Sequence, residues 1–233
     1  SVVFSGVSEF EFIACSIGGV KDLPFINDQI VKLSLIRSNL IETNVSHDIP
    51  FEIPSPEIKN WSVLKKLDIK HGSIISLTNF SECFKSATHI NLCSNKIIDP
   101  DFTNLRKIYS LNLASNFLRT VPKLSDISSK TISVLILSNN NLYDLRGIGR
   151  FKNLKLLYVS DNFLINIEDM LELNQLSSLT DLKLYGNPIC YVSGYRNKIC
   201  SILPLSLMRS NNVNCVRLLI SFVLTDASYL PSN

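Results

Sequence analysis

The chain has 233 residues, of which 45% are apolar and 18% charged, with a formal net charge of +3. This is the composition of one elongated soluble domain, and so small a positive excess gives no case for nucleic acid. A membrane span is excluded too, because the apolar run Val213–Leu224 is broken by Asn214 and Arg217 and is too short to cross a bilayer.

Taken in chain order, one spacing keeps returning: apolar, two spacers, apolar, one spacer, apolar, two spacers, a small polar residue, one spacer, apolar. It opens with Val7-Phe10-Phe12-Cys15-Ile17 and continues with Ile30-Leu33-Leu35-Ser38-Leu40, Leu64-Leu67-Ile69-Gly72-Ile74 and Ala87-Ile90-Leu92-Asn95-Ile97. The later copies are more regular: Ile108-Leu111-Leu113-Asn116-Leu118, Ile132-Leu135-Leu137-Asn140-Leu142, Leu154-Leu157-Val159-Asn162-Leu164 and Leu179-Leu182-Leu184-Asn187-Ile189. The steps between starts are 23, 34, 23, 21, 24, 22 and 25 residues. This is the leucine-rich repeat pattern.

Each unit begins with strand-like alternation and returns through a connection long enough to bring the chain back in the same direction, so the strands must pair in parallel. No unit can bury its apolar side alone. The expected fold is therefore an α/β leucine-rich repeat solenoid, a curved parallel sheet with short helices or turns on the convex face. Eight strands at ~4.8 Å make a sheet on the order of 40 Å long.

Asn95, Asn116, Asn140, Asn162 and Asn187 form an expected ladder of buried amides that both donate and accept. Ser38 and Gly72 depart from it, so the second and third repeats should be less regular. Phe102 and Leu105, then Val121, Leu124 and Ile127, then Leu145, Ile148 and Phe151, then Ile167, Leu171 and Leu176 are the apolar marks of the return segments and suit short helices or single turns packing on the convex side. The one long step holds Pro50, Pro54 and Pro56, which place an exposed loop near 47–59. Its apolar Ile49, Phe51 and Ile53 either fold back over the solenoid or make a small contact site. The repeats thus occupy 1–189, a closing segment 190–204 and a divergent tail 205–233.

The end of the last repeat, Tyr185-Gly186-Asn187-Pro188-Ile189, runs into the closing segment through Cys190 and continues Gly194-Tyr195-Arg196-Asn197-Lys198-Ile199-Cys200-Ser201-Ile202-Leu203-Pro204. It resembles the C-terminal cap of intracellular leucine-rich proteins, and over roughly Val7–Pro204 the chain resembles the family typified by the leucine-rich regulatory subunit of protein phosphatase 1. Nischarin, the kinase-interacting leucine-rich proteins, tubulin-folding cofactors and axonemal dynein-associated proteins carry similar caps. The resemblance implies a helix pressing Tyr195, Ile199, Ile202 and Leu203 onto the last repeat, and a partner that is a phosphatase, a kinase, a GTPase or a cytoskeletal protein. Residues beyond Pro204 do not match the family's usual finish.

Alternation along the strands puts three columns on the concave face. One runs Glu9, Lys32, Lys66, His89, Ser110, Val134, Leu156, Asp181; the next Glu11, Ser34, Asp68, Asn91, Asn112, Ile136, Tyr158, Lys183; the last Ile13, Ile36, Lys70, Cys93, Ala114, Ser138, Ser160, Tyr185. Val134, Ile136, Leu156, Tyr158 and Tyr185 are apolar where the geometry exposes them, which makes them the first candidate partner-binding cluster. The bland readings are that the closing segment or tail covers them, or that they are merely good strand formers. A second, polar cluster holds Lys66, Asp68, Lys70, His89, Asn91 and Asn112. Elsewhere Lys and Arg are scattered, and the densest basic spot, Lys65, Lys66, Lys70 and His71, adjoins Asp68, as a solvated surface would.

Catalysis finds no support. His47, His71 and His89 have no ligand spacing, a cluster of His71, His89 and Cys93 is better read as incidental, and no phosphate-binding glycine loop exists among eight glycines. No cofactor or metal is expected. Six cysteines without a C-x-x-C pair favour reduced thiols in a cytoplasmic or nuclear protein, Cys15 being a core residue. Cys190 and Cys200, with the sequons at Asn44, Asn60 and Asn79, keep an extracellular recognition domain as the alternative. The first residue is Ser1, so a fragment or processed chain is a third reading. The leading expectation is a non-catalytic interaction module, adaptor or regulatory subunit, holding a protein on its concave face.

Overall fold

The structure, a computed structural model, describes residues 8–13, 30–36, 61–77, 80–204 and 206–207. The loop expected near 47–59, the three sequon asparagines, Ser38, Cys15, Cys215 and the tail beyond 207 lie outside the described residues. Among the described residues ten strands follow in chain order: β1 (Glu9–Ile13), β2 (Lys32–Ile36), β3 (Lys66–Lys70), β4 (His89–Asn91), β5 (Asp101–Phe102), β6 (Ser110–Asn112), β7 (Lys123–Leu124), β8 (Val134–Ile136), β9 (Leu156–Tyr158) and β10 (Asp181–Lys183). Eight of them form one parallel sheet in the order β1-β2-β3-β4-β6-β8-β9-β10, while β5 and β7 pair separately on the return path.

Every concave-column strand pairs with the next repeat in the same register, Glu9 opposite Lys32, Lys32 opposite Lys66, Lys66 opposite His89 and so on to Asp181. The reason is the two-residue period: a slip of one would turn each leucine out of the core. The intervening leucines are buried beneath the sheet, Leu67, Ile90, Leu111, Leu135, Leu157 and Leu182 among them, and the core runs as one cluster from Ile30 to Leu207.

The asparagines clip successive repeats together. Asn140 Nδ2 donates to the Leu113 carbonyl of the preceding repeat at 2.9 Å and to Leu137 of its own at 3.0 Å, while its Oδ1 accepts from Leu118 N–H at 3.0 Å. Asn116, Asn162 and Asn187 repeat the arrangement. Where Gly72 lacks an amide, Asn95 of the next repeat accepts from the backbone of Gly72 and Ile74. The residue before each ladder position adopts positive φ: His71, Ser94, Ser115, Asn139, Asp161 and Gly186. That left-handed residue turns the chain out of the strand so that the asparagine points inward. At Gly72 a second positive φ follows at Ser73, so the third repeat has the less regular turn.

The return segments form α1 (Phe80–Cys83), α2 (Asp126–Thr131), short 3-10 turns at Ile148–Arg150, Glu168–Gln175 and Pro188–Tyr191, and α3 (Tyr195–Ile202). Phe102, Leu105, Val121, Leu124, Leu145, Ile148, Phe151 and Leu176 are buried, and Ile167 is partly so. Two expectations fail: Ile127 is 58% and Leu171 52% exposed. In α2 the inward positions go to Ser128 and Ser129, with Ser125 and Ser128 hydroxyls donating to the Leu105 carbonyl; around Leu171 they go to Met170 and Leu173. Ile199 and Ile202 of α3 are buried, and Tyr195 and Leu203 pack partly against the same core at the end of the stack. Among the described residues no helix is long and apolar enough to cross a membrane.

Candidate functional site

The register brings Val134 beside Leu156 and Ile136 beside Tyr158 on β8 and β9, four half-buried side chains on the face opposite the core. The next strand edges this quartet with polar groups. The Tyr158 hydroxyl donates to Asp181 Oδ2 at 2.8 Å, and the Lys183 ammonium lies 3.7 Å from the Tyr158 ring centroid. Burial first, then the bond to Asp181, raises the Tyr158 pKa, so the phenol stays a donor. Tyr185 is 45% exposed one column further on, beyond Ser160, whose hydroxyl donates to Ser138 at 2.9 Å.

The polar cluster is also assembled on adjacent strands: Lys66 opposite His89, and Asp68 opposite Asn91, which is opposite Asn112. Its members are largely occupied with local bonds. Asp68 pairs with Lys70 at 3.1 Å, Asn91 accepts from Cys93 N–H and Asn112 from Ala114 N–H, and the His89 ring lies 5.9 Å from that of Tyr109. Among the described residues no group of three or more His, Cys, Asp or Glu could hold a metal ion. Cys83, Cys93 and Cys190 are free thiols; burial pushes Cys83 up to about 11 and raises the other two.

Sequence reading missed a second apolar line. Phe117, Tyr143, Phe163 and Ile165 follow the ladder asparagines by one or three residues and stay exposed, with Tyr143 and Phe163 stacked at 5.6 Å. The signal was present as an aromatic residue one or three positions after each of Asn116, Asn140 and Asn162.

Solved structures with the same architecture include a leucine-rich repeat protein of Leptospira interrogans (TM-score 0.55, 23% identity, 69% of this chain and 38% of that one). Internalin C2 of Listeria monocytogenes matches at TM-score 0.58 and 16% identity over 78% of this chain and 73% of that one. The chain has the leucine-rich repeat fold. No protein-family model matches it. Sequence relatives of this leucine-rich repeat chain include the human serine/threonine-protein kinase 11-interacting protein, 26% identical over 58% of this chain. Others are the U2 small nuclear ribonucleoprotein A' of Candida glabrata, 36% identical over 40%, and Tsukushi of Xenopus tropicalis, 30% identical over 65%. The chain spans 13%, 35% and 44% of the lengths of these three relatives.

Proposed function

We propose that this chain is a non-catalytic interaction module, an adaptor or regulatory subunit that holds a protein partner against the concave side of its late repeats. The observation that carries this reading is the quartet Val134, Ile136, Leu156 and Tyr158, four adjacent apolar side chains held on the open face with Asp181 and Lys183 beside them. A stiff sheet displays these groups in a fixed array, so docking loses little ordering entropy. Val134 and Leu156 would bury against the partner, Tyr158 would anchor, and Tyr185 would close the edge. Lys66, Asp68, His89 and Asn112 would select among partners by charge and hydrogen bonding. The name of the human relative, a kinase-interacting protein, favours a kinase among the partner classes. The setting that goes with free thiols at Cys83, Cys93 and Cys190 is the cytoplasm or nucleus.

The test is photo-crosslinking from a benzophenone residue at position 136, compared with the same residue at Ile127 on the opposite surface. One discrete protein should attach from position 136 only, and Leu156→Asp, with an unchanged circular dichroism spectrum, should remove it. Equal products from both positions, or a product indifferent to Leu156→Asp, would exclude this face.

A further inference from the structure

Lysines and arginines that look dispersed along the sequence are gathered into one row by the repeat period. His89, Ser110, Val134 and Leu156 lie side by side in register. Four residues before each of them stand Lys85, Arg106, Lys130 and Lys152, all exposed, one cation at the same position in four consecutive repeats. The stretches 85–91, 106–112, 130–136 and 152–158 also contain Lys107 and Lys155, and they contain no Asp or Glu.

These lead-in segments stack as the strands do. Tyr109 N–H donates to the Thr88 carbonyl at 2.8 Å, Ser133 to Tyr109 at 2.9 Å and Lys155 to Ser133 at 2.9 Å. The Asn153 amide donates to the Lys130 carbonyl, tying the last two levels together. At one end Lys65 continues the lateral bonding, its carbonyl accepting from Thr88 N–H, and Lys66 adds a further exposed cation. The acids on the elements leading in are Glu82, which pairs with Lys85 at 3.2 Å, Asp101 in β5 and Asp126 in the first turn of α2, and the Lys152 ammonium donates to the Gln175 side chain at 3.1 Å in an exposed contact that a carboxylate can replace.

We propose that this row docks an acidic α-helix of a protein partner, lying across the repeats along the stacking direction. Neighbouring strands are ~4.8 Å apart. An α-helix returns the same face every ~5.4 Å, so Glu or Asp at every third or fourth residue stays in step with four successive cations to within ~2 Å, inside the reach of flexible lysines. An extended strand repeats its face every ~6.8 Å and falls out of step by the third cation. Single-stranded nucleic acid is held by aromatic platforms as well as charge. Beside this row Tyr109 is the exposed aromatic, and Lys107 lies over its ring at 4.9 Å. The inference stands on the charge row and not on the apolar quartet of the open face.

The test is fluorescence anisotropy of the whole chain with a labelled helical peptide carrying Glu on one face at i, i+4, i+7 and i+11. Controls are a peptide of equal composition with the Glu spread around the helix, a single-stranded RNA and vesicles containing phosphatidylserine. The one-faced peptide should bind at least about tenfold tighter than the spread one and weaken as salt rises. The triple change Arg106→Glu, Lys130→Glu, Lys152→Glu should abolish binding, whereas Ile136→Asp should leave it unchanged. Carbodiimide cross-linking of the unaltered chain gives a readout that needs no variant, and peptide Glu should couple to Lys85, Lys130 and Lys152. Equal binding of the two peptides, tighter binding of RNA or vesicles, or cross-links elsewhere would overturn the proposal. Loss of binding on Ile136→Asp would also overturn it, by moving the peptide to the open face.

Discussion

Gly186 sits against Asp161 so closely that a Cβ on the glycine would lie 2.1 Å from Asp161 Oδ1, and its φ is +72°. It occupies the left-handed position that Ser94, Ser115, Asn139 and Asp161 hold in the preceding repeats. Those residues tolerate the conformation at some cost; here the neighbouring turn adds a steric reason for glycine. Gly186→Ala should therefore destabilise by about 2 kcal/mol, roughly half from the left-handed backbone and half from displacing Asp161. Urea denaturation of the single changes and of the pair with Asp161→Gly separates the two parts. The pair should recover the steric half only, and strict additivity would refute the contact.

Asn140 serves four backbone groups of two repeats and is 4% exposed. Asn140→Ala leaves the Leu118 N–H buried and unpaired and takes one of two donors from each of the Leu113 and Leu137 carbonyls, which keep Asn116 and Asn162, so it should cost about 2 kcal/mol, since an unsatisfied buried group costs about 1–3 kcal/mol. Asn140→Asp keeps the acceptor for Leu118 N–H but loses the donors to Leu113 and Leu137 and buries a charge. It should be the worse change at neutral pH and recover in acid, where the carboxyl is protonated. A deficit that does not change with pH would refute this account of the ladder.

Most of the fold was legible because burial enforces period: each leucine had to face in, and that fixed strand direction, register and the three columns down to individual residue pairs such as Ile136 with Tyr158. The asparagines were legible for the same reason, as buried polar groups with one way to be satisfied. What escaped was set by local turn geometry and by lateral alignment. Ile127 and Leu171 matched an apolar pattern, but a short helix and a 3-10 stretch rotated Ser128 and Met170 inward instead. Lys85, Arg106, Lys130 and Lys152 are 21, 24 and 22 residues apart, and their alignment appears only once the repeats are superposed. Phe117, Tyr143 and Phe163 escape in the same way, because they follow the asparagine by one or three residues and share no strand period.

Acid sensitivity should trace in part to Asp101. The Thr103 N–H donates to its Oδ1 at 2.9 Å and the Thr103 hydroxyl at 2.8 Å, and these bonds, the backbone one first, hold the carboxyl below its ordinary value of 3.8. A folded pKa below the unfolded one means that the contribution is complete above the unfolded value and fades as pH falls through the folded one. Asp101→Asn should accordingly lower the urea midpoint by a small constant amount above about pH 5, with the gap closing below the ordinary value. Because the side chain is exposed, the effect is small. A gap that widens in acid would contradict the sign.

Tyr158 and Asp181 give the sharpest separation of stability from recognition. Their bond joins β9 to β10 at 2.8 Å on a half-buried face, so breaking it exposes partners to water and leaves neither deeply stranded. Tyr158→Phe and Asp181→Asn should each cost less than about 1 kcal/mol, with a coupling of about 0.5 kcal/mol in the double-mutant cycle. Recognition should respond differently. Tyr158→Phe keeps the ring area but frees it from the orientation fixed by Asp181, so affinity for the open-face partner should fall about threefold, about 0.6 kcal/mol, while Tyr158→Ala removes the anchor and should cost at least about 2 kcal/mol. Titration calorimetry beside urea melts distinguishes the two. If the binding and folding losses of all three variants scaled together, Tyr158 would be a packing residue of the last two repeats and its assignment as an anchor would be withdrawn.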